Sequence, residues 1–172
     1  YLFRSLDKPN VVAASSTMTA LAKGVRWEMA LALCGEVRNR SIGMNVIACS
    51  AAISACEKGK DWESALALLK DMESSKLQAN IVAYSAVISA CEKCKHWELA
   101  LELFDEVLRI RLLPDVVVCS ATLSAVARSE RWDLAAGIMS AIQEGGIQPN
   151  AVLYNSAISV AEKANAWEVA IQ

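Results

Sequence analysis

The sequence predicts an all-α solenoid built from 35-residue helix-turn-helix repeats. Two observations carry this prediction: the tryptophans recur at a constant spacing, and each opens the same apolar pattern. The five tryptophans stand 35 residues apart at every step, at Trp27, Trp62, Trp97, Trp132 and Trp167. A constant period between 20 and 50 residues is typical of solenoids, in which each unit buries its apolar face against its neighbours.

The period divides the 172 residues into four complete repeats with a partial repeat at each end. The predicted boundaries are 1–10 for the end of a preceding repeat, 11–45, 46–80, 81–115 and 116–150 for repeats 1 to 4, and 151–172 for a truncated repeat 5. Because both ends fall inside repeats, we expect the chain to be part of a longer protein.

Each repeat is expected to begin with a helix that follows an Asn or Asp residue. These junction residues are Asn10, Asn45, Asn80, Asp115 and Asn150. Asn and Asp are preferred N-cap residues, so a helix should begin at the next position. This first helix runs over about twelve residues, as from Val46 to Lys58, before a short polar turn.

A second helix should open at each tryptophan. An acidic residue follows every tryptophan, at Glu28, Glu63, Glu98, Asp133 and Glu168, and negative charge in a first turn complements the helix macrodipole. Ala-Leu-x-Leu spacing comes next, and the pattern fades near Ser74, Arg109 and Gly145. Gly145 is the expected C-terminal glycine with positive φ. The tryptophans fit a core between hairpins better than platforms for stacking bases.

The first helices share one polar face, which we call the polar stripe. Positions separated by three, four and four residues lie on one face of a helix. There each helix carries a β-branched apolar residue, two small polar residues and a cation, with only Asn155 larger. The members are Val12, Ser15, Thr19 and Lys23; Ile47, Ser50, Ser54 and Lys58; Val82, Ser85, Ser89 and Lys93; Val117, Ser120, Ser124 and Arg128; and Val152, Asn155, Ser159 and Lys163.

The junction residues and each component of the polar stripe also have a purely structural explanation. The junction residues are helix caps, small serines allow helices to approach closely, and cations near a helix C-terminus complement its dipole. Their joint occurrence on one face in every repeat favours a binding surface instead. Stacked hairpins would bring the stripes side by side on one wall.

The net charge of −2 and pI near 5.5 argue against a strongly basic nucleic-acid binder. Most acidic residues lie in the second helices, however, so one edge can be basic in a nearly neutral array. Three acidic residues next to stripe cations weaken that field, namely Glu57, Glu92 and Glu162.

Membrane insertion, metal binding and catalysis lack sequence support. The longest apolar runs are only a few residues, far short of a membrane span. Cys91 and Cys94 have no second Cys/His pair, and His96, the only histidine, has no evident orienting partner. We expect no catalytic residue, no metal site, no cofactor and no small-molecule substrate, with the six cysteines acting as buried small hydrophobes in a reducing compartment.

Taken together, these motifs resemble those of pentatricopeptide repeat proteins over essentially the whole chain. The resemblance rests on the period, the Leu113-Pro114-Asp115 and Gln148-Pro149-Asn150 junctions, the Tyr84-Ser85 pair, and the stretch 97–107. Two departures are the tryptophan in place of a smaller aliphatic residue, and Cys49 or Cys119 where an aromatic is frequent. Tetratricopeptide repeats fit less well, because they have about 34 residues and carry tryptophan early in the first helix.

The resemblance implies that each repeat reads one RNA base. Three roles follow for the members of the polar stripe and the junction residues. The base-reading pairs would be Ser15 with Asn45, Ser50 with Asn80, Ser85 with Asp115, and Ser120 with Asn150, with Asn155 lacking a partner. The base-packing residues would be Val12, Ile47, Val82, Val117 and Val152, and the phosphate contacts Lys23, Lys58, Lys93, Arg128 and Lys163.

The family's pairing rules imply a specific target. Ser with Asn favours adenine, Ser with Asp favours guanine, and Asn in the first position favours a pyrimidine. The expected RNA, read 5′ to 3′ along the chain, is adenine, adenine, guanine, adenine and a pyrimidine.

We therefore expect a right-handed α-solenoid that binds single-stranded RNA and has no catalytic activity in this segment. The family implies a role in organellar RNA processing, stability or editing, in a mitochondrion or chloroplast, with protein partners possible. Two alternatives stay open: a tetratricopeptide-like scaffold for protein–protein interaction, and the RNA-targeting segment of a larger RNA-processing enzyme.

Overall fold

A computed structural model describes residues 11–23, 26–39, 44–127, 129 and 132–163. These residues form α-helices and no strand, which confirms the all-α repeat fold expected from the period. The helices are α1 (Val11–Lys23), α2 (Trp27–Asn39), α3 (Val46–Gly59), α4 (Trp62–Ser74), α5 (Ile81–Lys93), α6 (Trp97–Arg109), α7 (Val116–Val126), α8 (Trp132–Glu144) and α9 (Ala151–Lys163). The predicted segment 1–10 and the end of repeat 5, 164–172, lie outside the described residues.

Four junction residues, Asn45, Asn80, Asp115 and Asn150, act as N-caps of the first helices, whereas Asn10 lies outside the described residues. In each case the side-chain Oδ1 accepts a hydrogen bond from the backbone N–H three residues later, which satisfies a donor that the helix cannot pair. The bonds are Ala48 N to Asn45 at 2.8 Å, Ala83 N to Asn80 at 3.0 Å, Val118 N to Asp115 at 2.8 Å and Leu153 N to Asn150 at 3.0 Å. Local sequence therefore determines where α3, α5, α7 and α9 begin.

Several helices end at a residue in the left-handed conformation. Among the described residues, positive φ occurs at Lys60, Lys76, Lys95, Arg111 and Gly146. After α4, for example, the N–H of Lys76 donates to the carbonyl of Glu73 at 3.0 Å, and that of Leu77 to Met72 at 2.9 Å. This pair of bonds is the Schellman motif.

The expectation that Gly145 would adopt positive φ is wrong. The left-handed residue after α8 is Gly146, with a φ of 69°. The reason is that the Schellman motif places this conformation on the second residue beyond the last helical one, here Glu144.

The chain divides into two compact units, Tyr1–Val87 and Ile88–Gln172, with the boundary inside α5. In the first unit α3 packs against α1, α2 and α4; in the second, α7 packs against α6, α8 and α9. In each unit, therefore, a first helix lies beside the first helix of the next repeat. No helix in the described ranges is long and apolar enough to span a bilayer.

Trp27 lies at the packing between hairpins in the first unit. Its ring packs against a cluster of buried alanines, Ala22, Ala30 and Ala55. A Cβ atom added to Gly59 would lie only 2.6 Å from the ring, so only glycine fits beneath the indole. This tryptophan thus belongs to the core rather than to a base-stacking surface.

Candidate nucleic-acid interface

The apolar members of the polar stripe face solvent. The exposed fractions are 67% for Val12, 64% for Ile47, 53% for Val82, 55% for Val117 and 54% for Val152. Each is the second residue of its helix, while the third or fourth residues turn into the core. A β-branched side chain exposed at the same position in five helices is not explained by core packing.

The first polar positions of the stripe differ in their exposure to solvent. Ser15 and Ser50 are buried, Ser85 and Ser120 are half-buried, and Asn155 is exposed.

Two of these serines donate their hydroxyl proton to their own helix. Ser15 Oγ donates to the carbonyl of Val12 at 2.9 Å, and Ser120 Oγ to that of Val117 at 3.1 Å. A hydroxyl whose proton is bound in this way still offers lone pairs as an acceptor.

One predicted base-reading pair is in direct contact. Ser50 Oγ donates to Asn80 Oδ1 over 3.3 Å, although the two residues are 30 positions apart. The same Oδ1 accepts the capping bond from Ala83. Since both bonds go to the oxygen, the Asn80 amide nitrogen is left as a donor on an exposed side chain.

The other predicted pairs are arranged differently. Within the described residues, Ser15 forms no hydrogen bond with Asn45, and Ser120 forms none with Asn150. In both pairs the serine bonds its own helix and the asparagine caps the next one. Ser85 belongs to the first unit and Asp115 to the second.

A groove of about 340 Å³ lies along the stripe in the first unit. Its walls come from α1, α3 and the start of α5. The lining residues are Thr19, Ala22, Lys23, Ile47, Ser50, Ala51, Ser54, Lys58, Asn80 and Val82. The groove therefore joins predicted base-packing, base-reading and cationic residues of three consecutive repeats in one concave surface.

The cation Lys58 has a structural partner within this groove. Its ammonium donates to the backbone carbonyl of Ala22, one of the last carbonyls of α1. Lys58 therefore has a structural role, because it pairs a carbonyl at the C-terminal end of a helix. An ammonium has three donors, so Lys58 can still present protons to a ligand, beside the exposed Lys23.

A groove of about 430 Å³ occurs at the equivalent place in the second unit. It is lined by Glu92, Ser124, Ala127, Val152, Asn155, Ser156, Ser159 and Lys163. All but Glu92 lie three repeats, or 105 residues, after a residue of the first groove, for example Ser124 after Thr19 and Lys163 after Lys58. The same construction thus recurs in both units.

The remaining predicted phosphate contacts can be placed only in part. Lys93 and Lys163 are exposed, whereas Arg128 lies outside the described residues. Glu92, which was expected from the sequence to weaken the basic field, lines the second groove.

The cysteines do not supply reactive groups to either groove. Burial raises the pKa of the Cys56 thiol to about 12 and that of Cys91 and Cys119 to about 11. Neighbouring Asp61, Cys94 and Asp115, respectively, raise the three pKa values further. Among the described residues, no three His, Cys, Asp or Glu side chains are grouped to hold a metal ion.

Comparison with protein-family models gives two matches. Residues 32–94 and 102–163 match the pentatricopeptide repeat domain, and residues 82–112 match the single PPR repeat. A search of curated protein sequences found no match.

Solved structures share the fold at low sequence identity. PPR10 from maize is 24% identical with a TM-score of 0.78 over 99% of this chain and 25% of its own. PPR10 in complex with an 18-nt psaJ RNA element is 23% identical, with a TM-score of 0.76 over 94% of this chain and 24% of its own.

The PPR domain of Arabidopsis thaliana protein-only RNase P 1, in complex with tRNA, is 14% identical. Its TM-score is 0.80 over 93% of this chain and 88% of its own. The chain thus spans about a quarter of the length of PPR10, and these likenesses show a common helical repeat fold.

Proposed function

The chain belongs to the pentatricopeptide repeat family, and we propose that it binds single-stranded RNA along the polar stripe, one base per repeat. Two similar proteins were crystallised with RNA, PPR10 with an 18-nt element and the RNase P domain with tRNA. The observation that carries the proposal is the first groove, where Ile47, the bonded Ser50 and Asn80, and Lys23 line one concavity.

The contact between Ser50 and Asn80 suits adenine. The amide nitrogen of Asn80 is a donor for the N1 acceptor of adenine, and the lone pairs of Ser50 can accept from its amino group. Guanine presents an N–H at N1, which would meet the amide donor of Asn80 and leave both unpaired. An unpaired polar contact of this kind costs about 1–3 kcal/mol, enough to select between the two purines.

Asp115 has the opposite hydrogen-bonding capacity to Asn80, because it offers an acceptor instead of a donor. Its Oδ1 accepts the capping bond from Val118, and its second oxygen can only accept. That oxygen suits the N–H groups of guanine. The proposed order of bases is adenine, adenine, guanine, adenine and a pyrimidine.

The exposed apolar residues and the cations complete the proposed site. Val12, Ile47 and Val82 would pack against base faces, since their side chains are more than half exposed beside the base-reading residues. Lys23 and Lys58 would approach the phosphates. A net charge of −2 allows this, because a polyanion responds to the local field of the groove.

For the protein as a whole, we propose a role in organellar RNA processing, stability or editing. The segment itself is proposed to target RNA without catalysing a reaction. Family membership supports both statements.

The test is fluorescence anisotropy with a short RNA containing the proposed five bases, a scrambled RNA of equal composition, and the equivalent DNA, each at two salt concentrations. Affinity for the proposed RNA should exceed that for the scrambled RNA and fall with salt, by a log–log slope of roughly −0.7 per phosphate contact. Equal binding of both RNAs would remove the base assignment. No salt-dependent binding of any of them would remove the RNA function and favour a protein scaffold.

A further inference from the structure

One row of the polar stripe has no role in the proposed function. It is the second small polar position, which holds a hydroxyl in every repeat: Thr19, Ser54, Ser89, Ser124 and Ser159. Thr19 and Ser54 line the first groove, and Ser124 and Ser159 line the second. Each groove thus contains two hydroxyls of this row, which have no role in base reading, and the second groove also contains the hydroxyl of Ser156.

The row lies between the base-reading residues and the cations. In α3, Ser54 follows Ser50 by four residues and precedes Lys58 by four, so each step is about 6 Å along the helix axis. The sugar of a nucleotide likewise joins the base to the phosphate. Resting on the proposed RNA function, we propose that this hydroxyl row binds the ribose 2′-hydroxyl and selects RNA over DNA.

The hydrogen-bonding state of the row fits this ligand. Thr19 Oγ1 donates to the carbonyl of Ser15 at 2.8 Å and keeps its lone pairs for the groove. The side-chain hydroxyls of Ser54, Ser124 and Ser159 form no hydrogen bond within the described part of the chain. A 2′-hydroxyl both donates and accepts, so it can pair with either arrangement.

Close helix packing does not account for the hydroxyls. Alanine already occupies three tightly packed positions of α3, with exposed fractions of 1% for Ala48 and 0% for Ala52 and Ala55. Ser54 is half-buried and faces the groove instead. Alanine would serve as well as serine if packing alone mattered, and it is the better helix former.

The experiment uses the whole 172-residue chain with Ser54→Ala and Ser159→Ala combined, one change in each groove. Binding is measured to the proposed RNA, to the equivalent DNA, and to RNAs with a single 2′-deoxy nucleotide. Ser140→Ala is the matched control, because this exposed serine lies on the second helix α8, outside the stripe. Circular dichroism verifies that helix content is retained.

We expect the RNA-to-DNA affinity ratio of the double variant to fall about three- to tenfold per site, the size of one lost hydrogen bond. Base preference should stay unchanged, and so should the ratio in Ser140→Ala. In addition, two of the single 2′-deoxy substitutions, one for each altered groove, should weaken binding of the unmodified chain but not of the double variant.

An unchanged ratio in the double variant would overturn the proposal, as would equal affinity of the unmodified chain for RNA and DNA. Both results leave base reading intact, so they differ from failure of the proposed function. If the unmodified chain bound none of the nucleic acids, both proposals would be wrong.

Discussion

Ser50 Oγ donates a hydrogen bond to Asn80 Oδ1 over 3.3 Å, and this bond connects the two proposed base-reading positions of one repeat, 46–80. The oxygen of Asn80 also caps α5 through Ala83 at 3.0 Å. The two bonds hold the side chain of Asn80, an N-cap residue, with its amide nitrogen free to point outward. The structural and the functional explanations of the junction residues are therefore compatible at this position.

Replacing Asn80 by Asp should change the preferred second base from adenine to guanine. Asp keeps both bonds at Oδ1 but presents an acceptor where Asn presents a donor. Stability should change by less than about 0.5 kcal/mol, because Asp and Asn are comparable N-caps. Anisotropy with RNAs that differ only in the second base would measure the switch.

The reciprocal change, Asp115→Asn, should shift the third base from guanine to adenine. Asn80→Ala is the control for capping: it should lose about 1 kcal/mol of stability and lose selectivity without gaining guanine. Unchanged base preference in both exchange variants would contradict the assignment.

Replacing Lys58 by Met should lower both stability and the salt dependence of RNA binding. Its ammonium bonds the Ala22 carbonyl at the end of α1, so the free energy of unfolding should fall by about 1 kcal/mol. Loss of one phosphate contact should reduce the log–log salt slope by about 0.7. Urea unfolding and anisotropy at three salt concentrations give the two readouts.

Lys70→Met is the matched control, since Lys70 is an exposed lysine on the second helix α4. It should change neither quantity by a comparable amount. If Lys58→Met lowered stability but left the salt slope unaltered, Lys58 would be a structural residue alone.

How much the sequence predicted depends on whether a feature is local. Asn45 and Asn80 cap α3 and α5 through bonds to residues three positions away, so both helix starts could be predicted. The bond from Lys58 to Ala22 joins residues 36 positions apart, and no sequence pattern specified that contact. Local spacing identifies a face, whereas the partner across a groove is set by how the helices pack.

The burial of the proposed base-reading serines could not be predicted, for a related reason. Spacing places Ile47 and Ser50 on one face of α3, yet Ser50 is 8% exposed while Ile47 is 64% exposed. Small side chains are covered by the neighbouring helix, and larger ones extend past it. The period alone, by contrast, predicts that Thr19 and Ser124 occupy equivalent positions three repeats apart.

Replacing Gly59 by Ala should destabilise the first unit by about 1–3 kcal/mol, because the new methyl group would overlap the ring of Trp27. Combining it with Trp27→Leu should remove most of this penalty, which a double-mutant cycle measures by urea unfolding. Gly35→Ala and Gly137→Ala are controls, since nothing lies within 4 Å of the added carbon. Both should stabilise by about 0.5–1 kcal/mol, and destabilisation by all three variants would refute the steric explanation.

Lys76 and Gly146 occupy equivalent left-handed positions, with φ of 56° and 69°. We expect Lys76→Gly to stabilise by about 0.5 kcal/mol and Gly146→Lys to destabilise by about 1 kcal/mol, since a side chain costs about 1–2 kcal/mol in this conformation. A cation there also gains from the helix dipole, by about 0.3–1 kcal/mol. Unfolding in urea should therefore be measured at high salt, where the dipole term is screened, and changes of equal sign would contradict the argument.

Raising the pH from 8 to 10 should destabilise the protein through its buried thiols. Burial raises the pKa of Cys56 to about 12 and of Cys91 and Cys119 to about 11, while unfolded thiols ionise near pH 8.5–9. Above that pH the unfolded chain binds fewer protons than the folded one, so stability is complete below pH 8.5 and falls as pH rises towards 11. We expect a loss of about 1 kcal/mol per thiol in reducing buffer, measured by urea unfolding. The triple variant with alanine at the three positions should lose less stability over the same pH range, because it lacks these thiols. An identical loss in both proteins would exclude the thiols as the cause.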